Sequence, residues 1–344
     1  MKVFLRGLRI LLAVLLVGVP ATAVTVVVAP AAHAASIHAM TYLLSSRLES
    51  GSCLSMASAA GAPPATAACA YPATTAPQRF NFLTDPDSGG TWVASNGSSR
   101  CVVAQGSSAL GRATCRSDPA ALWDVSWAEA MTVRLVNRAT GLCLATGSGR
   151  GSPPVQSPCT LLSAEWFASP LLDRYQLQPT HTSMCLDIWN NDGGLQETDK
   201  AQQWTCLGPN QTNQMWSLEL QALPRWEIVG APYASSWHVV PPMYELHPMH
   251  NEDMCLVHDQ SYTDGHEVHQ GACGASSGWL FYPFDLTPGN ETFQIQAVTA
   301  HAINFDVCLD VHLGAGASNG AKVQVWHCLG AAQANQLWHP VKLN

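Results

Sequence analysis

Residues 308–338 read CLDVHLGAGASNGAKVQVWHCLGAAQANQLW, and five marks in that stretch decide how the chain is read. Cys308-Leu309-Asp310 opens it, Asn319-Gly320 marks a turn, and Val323-Gln324-Val325-Trp326-His327-Cys328 alternates as a strand does. Asn335-Gln336 and Trp338 then close it. Worked outward, the same pair of cysteines recurs along the chain at 53 and 69, 101 and 115, 143 and 159, 185 and 206, and 255 and 273. The gaps within pairs are 16, 14, 16, 21, 18 and 20 residues, and successive first cysteines stand 48, 42, 42, 70 and 53 apart. That is an internal repeat of roughly forty residues. Because each copy carries two cysteines, the simplest pairing is local: Cys53–Cys69, Cys101–Cys115, Cys143–Cys159, Cys185–Cys206, Cys255–Cys273 and Cys308–Cys328.

Two further marks keep step with the cysteines. Before each pair lies a short alternating segment: Tyr42-Leu43-Leu44, Trp92-Val93-Ala94, Val133-Arg134-Leu135, Tyr175-Gln176-Leu177, Tyr244-Glu245-Leu246 and Phe293-Gln294-Ile295. After each pair stands one aromatic expected in the core: Phe80, Trp123, Trp166, Trp216, Phe281 and Trp338. Between them the chain is rich in Gly, Ser, Pro and Asn and shows no helical period, so the reading is all-β, with short strands punctuated by turns. Units too small to bury a core alone group as three and three, dividing at Ser169–Leu172. The expected domains are 38–170 and 172–344, with a short join that puts them in contact. One stretch breaks the period: 217–243, with Pro224, Trp226, Trp237 and Pro241-Pro242, reads as an inserted loop or extra hairpin whose tryptophans either form an additional contact surface or, the favoured reading, pack it down.

Lys2, Arg6 and Arg9 precede an apolar run from Ile10 to Val28, and Ala32-His33-Ala34 has the small-residue cleavage pattern, so 1–34 reads as an export signal cut after Ala34. Pro20 interrupts the run and no basic stop-transfer cluster follows it, which argues against a retained membrane anchor. Removing three of the 16 basic residues and none of the 24 acidic ones leaves 13 − 24 = −11. A surface that acidic repels phosphate backbones and excludes nucleic acid as a partner. Twelve cysteines in an exported chain point to disulfides rather than thiol chemistry, and no close Cys-x-x-Cys pair suggests a metal. No cofactor is expected.

The marks of the sixth unit, and those of the fourth, resemble the repeat of the ricin B-chain type lectins. The fourth unit carries Cys185-Leu186-Asp187, Gln202-Gln203-Trp204-Thr205-Cys206 and Asn213-Gln214-Met215-Trp216, with Glu197-Thr198 where the sixth has Asn-Gly. The resemblance implies two tandem β-trefoils, three units around each pseudo-threefold axis, and shallow sugar pockets. The residues it implies for the pockets are Asp187, Gln202, Trp204, Asn213 and Gln214 in one unit, and Asp310, Gln324, Trp326, Asn335 and Gln336 in the other. The chemistry is self-consistent: a carboxylate accepts from neighbouring hydroxyls, an amide both donates and accepts, and an indole covers the C–H face of a sugar. Gln214 and Gln336 serve either the pocket or the core beside Trp216 and Trp338. The other four units hold Ser55, Val103, Ala145 and Val257 at the acid position and Ala67, Ala113, Ser157 and Gly271 at the platform position, so no sugar is expected there.

The implied function is a secreted, non-catalytic lectin for galactose, N-acetylgalactosamine or xylan-like glycans. The alternatives are a secreted protein-binding or inhibitory trefoil and, behind it, a glycoside hydrolase. His266-Glu267-Val268-His269 falls one residue short of a His-Glu-x-x-His metal motif, and in strand geometry its histidines should face opposite ways.

Overall fold

A computed structural model describes residues 40–56, 62–71, 76–106, 109–128, 131–189, 198–229, 236–258, 263–286, 290–298 and 307–343. The expected export signal at 1–34 lies outside them. The described residues are all-β, the only helical segments among them being three-residue 3-10 turns. None of their helices is long and apolar enough to cross a membrane.

The units share a four-strand plan, with the platform strand broken in two in the fifth, and the fourth unit shows it whole: an opener Tyr175–Pro179, an acid strand Met184–Ile188, a platform strand Ala201–Thr205 and a closer Trp216–Ala222. Each closer pairs antiparallel with the next opener, as Phe80–Thr84 does with Thr91–Ser95 and Trp216–Ala222 with Met243–Pro248. The last closer of each set of three returns to the first opener. Thr41–Ser46 pairs with Trp166–Leu171, and Tyr175–Pro179 pairs with Leu337–Lys342. This closure leaves each barrel without an open edge. Among the described residues, no strand pairing crosses from the chain before Leu171 to the chain after Tyr175, so the fold is two tandem β-trefoils.

Six disulfides join Cys53–Cys69, Cys101–Cys115, Cys143–Cys159, Cys185–Cys206, Cys255–Cys273 and Cys308–Cys328. Each ties an acid strand to the end of its own platform strand, closing a loop of 14 to 21 residues. The closing aromatics fill the barrels. The indole N–H of Trp123, Trp166, Trp216, Trp279 and Trp338 donates to the backbone carbonyl of Val102, Leu144, Leu186, Leu256 and Leu309, at 2.9–3.1 Å. A large ring is thereby buried with its one polar atom satisfied. Trp279, rather than the expected Phe281, therefore closes the fifth unit, because the turn after Cys273 is shorter there. Phe281 is also fully buried but packs edge-on against Tyr244, with ring centroids 5.1 Å apart.

One apolar cluster runs from Met40 to Trp338 through Leu172 and Tyr175. Across the join, Tyr244 Oη donates to the Pro170 carbonyl at 2.7 Å, and at the start of the second domain the Leu218 N–H donates to the Leu172 carbonyl at 2.8 Å. The 217–243 stretch contains a hairpin, Arg225–Val229 against Ser236–Val240. The side chains of Trp226 and Trp237 lie outside the described residues.

Candidate functional site

The antiparallel register of each acid and platform strand sets what can meet. Asp187 stands opposite Gln202 and Asp310 opposite Gln324. Because strand side chains alternate, Trp204 and Trp326, two residues on, share the face of those glutamines. The same register in the other units brings together Ser55 and Ala65, Val103 and Gly111, Ala145 and Val155, and Val257 and His269. The strand frame is common to all six units, and only two of them carry acid, amide and indole on it.

In the fourth unit Asp187 accepts from Gln202 Nε2 at 2.8 Å on one oxygen and from Asn213 Nδ2 at 2.9 Å on the other. In the sixth, Asp310 accepts from Gln324 Nε2 at 2.9 Å, Asn335 Nδ2 at 2.6 Å and Gln336 Nε2 at 3.1 Å. Each asparagine also donates to the carbonyl of the residue after the acid, Ile188 at 2.8 Å and Val311 at 3.0 Å. Both amide hydrogens are then committed, and Oδ1 is what each asparagine can offer a ligand. Gln324 Oε1 is buried with no protein hydrogen-bond partner.

The two acids are only 4 % and 3 % exposed, whereas Trp204 and Trp326 are half-buried. This differs from the expectation that the carboxylates stand open to hydroxyls. Each holds its flanking amides in one orientation through charge-assisted bonds, which are about twice as strong as neutral ones. Burial pushes both carboxyls above the usual carboxylate range, while the amide hydrogen bonds pull them back down.

Gln214 and Gln336 are fully buried and bond the backbone at both ends. Gln214 accepts from Leu207 N at 2.9 Å and donates to the Thr205 carbonyl at 3.0 Å; Gln336 does the same to Leu329 and His327 at 2.8 and 2.7 Å. Gln78 makes the same staple in the first unit, to Ala70 and Ala68, both at 2.7 Å, where there is neither acid nor platform. Beside the pocket and core roles open to these glutamines, the geometry adds a staple on the turn after the platform strand, and Gln336 also reaches the pocket acid Asp310.

Each platform is also braced by a neighbouring unit. Asn319 Oδ1 accepts from the Thr205 N–H at 2.8 Å, and Asp264 Oδ1 accepts from the His327 N–H at 2.7 Å. The glycine after each brace lies against the next unit's glutamine. A β-carbon on Gly320 would lie 3.8 Å from Gln202 Oε1, and one on Gly265 would lie 3.8 Å from both Gln324 Oε1 and Trp326. Both glycines have positive φ, +82° and +89°, and it is this backbone conformation, rather than crowding, that favours a residue without a side chain.

A cavity of about 360 Å³ adjoins the fourth-unit platform, lined by Trp189, Lys200, Gln202, Trp204, Glu267 and Lys322. Trp189, two residues after the acid and 46 % exposed, escaped the sequence reading, although its position was a usable signal. Glu267 and Lys322 come from other units and had no local signal. His266 and His269, expected to face apart, line one groove of about 580 Å³. The chain turns at buried Val268, and its strand partner changes there from Ala321–His327 to Met254–Val257. A cluster of Glu245, His247, Cys255 and Cys273 offers no thiolate, because its two cysteines are joined in a disulfide. A larger cavity, about 650 Å³, lies between Tyr42 and Trp127 of the first trefoil and Phe284 and Glu291 of the second, remote from both acid–amide sets.

Residues 119–204, from the end of the second unit to Trp204, match the family model described as ricin-type beta-trefoil lectin domain-like. Solved structures with similar chains include the designed threefold-symmetric protein ThreeFoil, at 24% identity over 49% of this chain and 99% of that one, with a TM-score of 0.34. The agglutinin from Abrus precatorius matches at 18% identity over 90% of this chain and 99% of its own, with a TM-score of 0.31. A ricin B-like lectin of Macrolepiota procera, solved in complex with lactose, matches at 12% identity over 49% and 95%, with a TM-score of 0.34. No curated protein matches the chain.

Proposed function

We propose that this chain, of ricin B-type lectin kind in its repeat and in the family model it matches, is a secreted, non-catalytic carbohydrate-binding protein with two shallow pockets in its second trefoil. The observation that carries the reading is selective recurrence. An amide-bonded aspartate and a half-buried indole share one face in the fourth and sixth units, and the same frame in the other four carries no acid and no indole. An oriented set of amide oxygens beside a flat apolar plate suits a pyranose, which has hydroxyls on its rim and C–H groups on its face. Galactose, N-acetylgalactosamine and xylan-like glycans are the classes in view. Six disulfides and the export pattern at 1–34 support an extracellular setting.

A single shallow pocket of this kind corresponds to a Kd on the order of 0.1–1 mM. The test is retention on immobilised galactose or xylan. The Trp204→Ala/Trp326→Ala double variant is expected to pass through unretarded while keeping the wild-type unfolding midpoint. Undiminished retention of that variant overturns the reading.

Hydrolysis by Asp187 and Asp310 acting as a pair is disfavoured by their separation. The strands run in the order Met184–Ile188, Ala201–Thr205, Ala321–His327, Val307–Val311, so three strand spacings, about 14 Å, separate Asp187 from Asp310. Glycosidases hold their two carboxyl groups within about 5 to 9.5 Å. A protein-binding role predicts instead that free sugar fails to compete with the partner.

A further inference from the structure

The two pockets lie on one continuous face. Gln202 pairs in register with Lys322, and Gln324 and Trp326 follow at alternate positions on the same strand. Lys200, Gln202 and Trp204 of one strand therefore point the same way as Lys322, Gln324 and Trp326 of its neighbour. The fifth unit, which has no pocket of its own, supplies the third side: Glu267 stands opposite Gln324 across their ladder. Glu267 also bonds Lys200 Nζ at 2.6 Å and lines the cavity beside Trp204. The 360 Å³ cavity there and the 580 Å³ groove over His266 and His269 share Lys200 and Glu267, so they adjoin at that ion pair. At its far end the groove is walled by Asp264 and Gly265, the residues that brace Trp326 and His327.

We propose that this face binds a linear oligosaccharide along its length. Its ends rest on Trp204 and Trp326, and its middle residues cross the charged groove of the fifth unit. The inference rests on the sugar reading above and deepens it from two independent monosaccharide pockets to one extended site. The groove suits the middle of a sugar chain. Thr198, Lys200, Asp264, His266, Glu267 and His269 supply donors and acceptors for hydroxyls, and there is no aromatic plate that would demand a terminal ring face.

The experiment is calorimetry on the full chain with D-xylose and xylotetraose, and in parallel with D-galactose and a linear galactotetraose. Two monosaccharides per chain are expected, but one tetrasaccharide, bound at least tenfold more tightly. Trp204→Ala and Trp326→Ala, tested singly, are each expected to return the tetrasaccharide to monosaccharide affinity. His266→Ala/His269→Ala, outside both pockets, is expected to lose the length-dependent gain and leave monosaccharide binding unchanged. If the tetrasaccharide instead binds twice per chain at monosaccharide affinity, and each Trp variant halves the stoichiometry without changing Kd, the pockets are independent and this inference fails while the sugar reading survives. Failure of both monosaccharides to bind overturns the sugar reading itself, and this inference with it.

Discussion

Asp187 and Asp310 show how one residue type takes on work that its position in the chain does not announce. An Asp after a strand is ordinarily a turn former, yet here both are buried and accept two or three amide hydrogen bonds each. Folding raises their pKa, because desolvation outweighs those bonds, so the folded chain takes up a proton at a pH where the unfolded chain is still ionised. The stability contributed by these two groups therefore rises as pH falls through the raised value. The ionised acceptor that orders Gln202, Asn213, Gln324 and Asn335 is lost in the same window. Retention on sugar resin is expected to weaken on acidification before ordinary carboxylates titrate, with no loss of thermal midpoint assignable to these two aspartates. Retention that holds until the ordinary carboxylate range has been passed counts against the role given to them.

At the scale of the element, the unit of function is a hairpin plus a turn borrowed from the next repeat. The two tryptophans, the two acids and their amides were legible in the sequence because they recur at fixed offsets from the cysteines. Asn319 was visible as part of an Asn-Gly turn, but not as a brace for Thr205, since the two are 114 residues apart. Asn319→Ala removes an acceptor for both the N–H and the hydroxyl of Thr205, at 2.8 and 2.9 Å. A cost of about 1–2 kcal/mol is expected. Sugar binding should weaken at the fourth-unit pocket only, read as loss of one of two monosaccharide sites by calorimetry. Equal weakening at both pockets would mean that Asn319 acts on the whole fold rather than on Trp204.

At the scale of the molecule, the apolar cluster is continuous through the join, and the Tyr244 hydroxyl reaches the Pro170 carbonyl. Heating is accordingly expected to produce one calorimetric transition, and Tyr244→Phe to shift it as a whole by about 1–3 kcal/mol, the cost of an unpaired buried carbonyl. Two resolved transitions would show that the trefoils unfold separately. The amino-acid sequence by itself determined the all-β class, the sixfold unit, the pairing of its cysteines and the two units that carry acid, amide and indole. Each of these is a local pattern repeated at a fixed period, and repetition survives in one dimension. Tertiary structure alone decided that Trp279 closes the fifth unit, that Gln214 and Gln336 staple turns, and that Glu267 and Lys322 stand beside Trp204. Those facts depend on closing each barrel on itself, which brings residues of different units into contact across distances along the chain that no local pattern encodes.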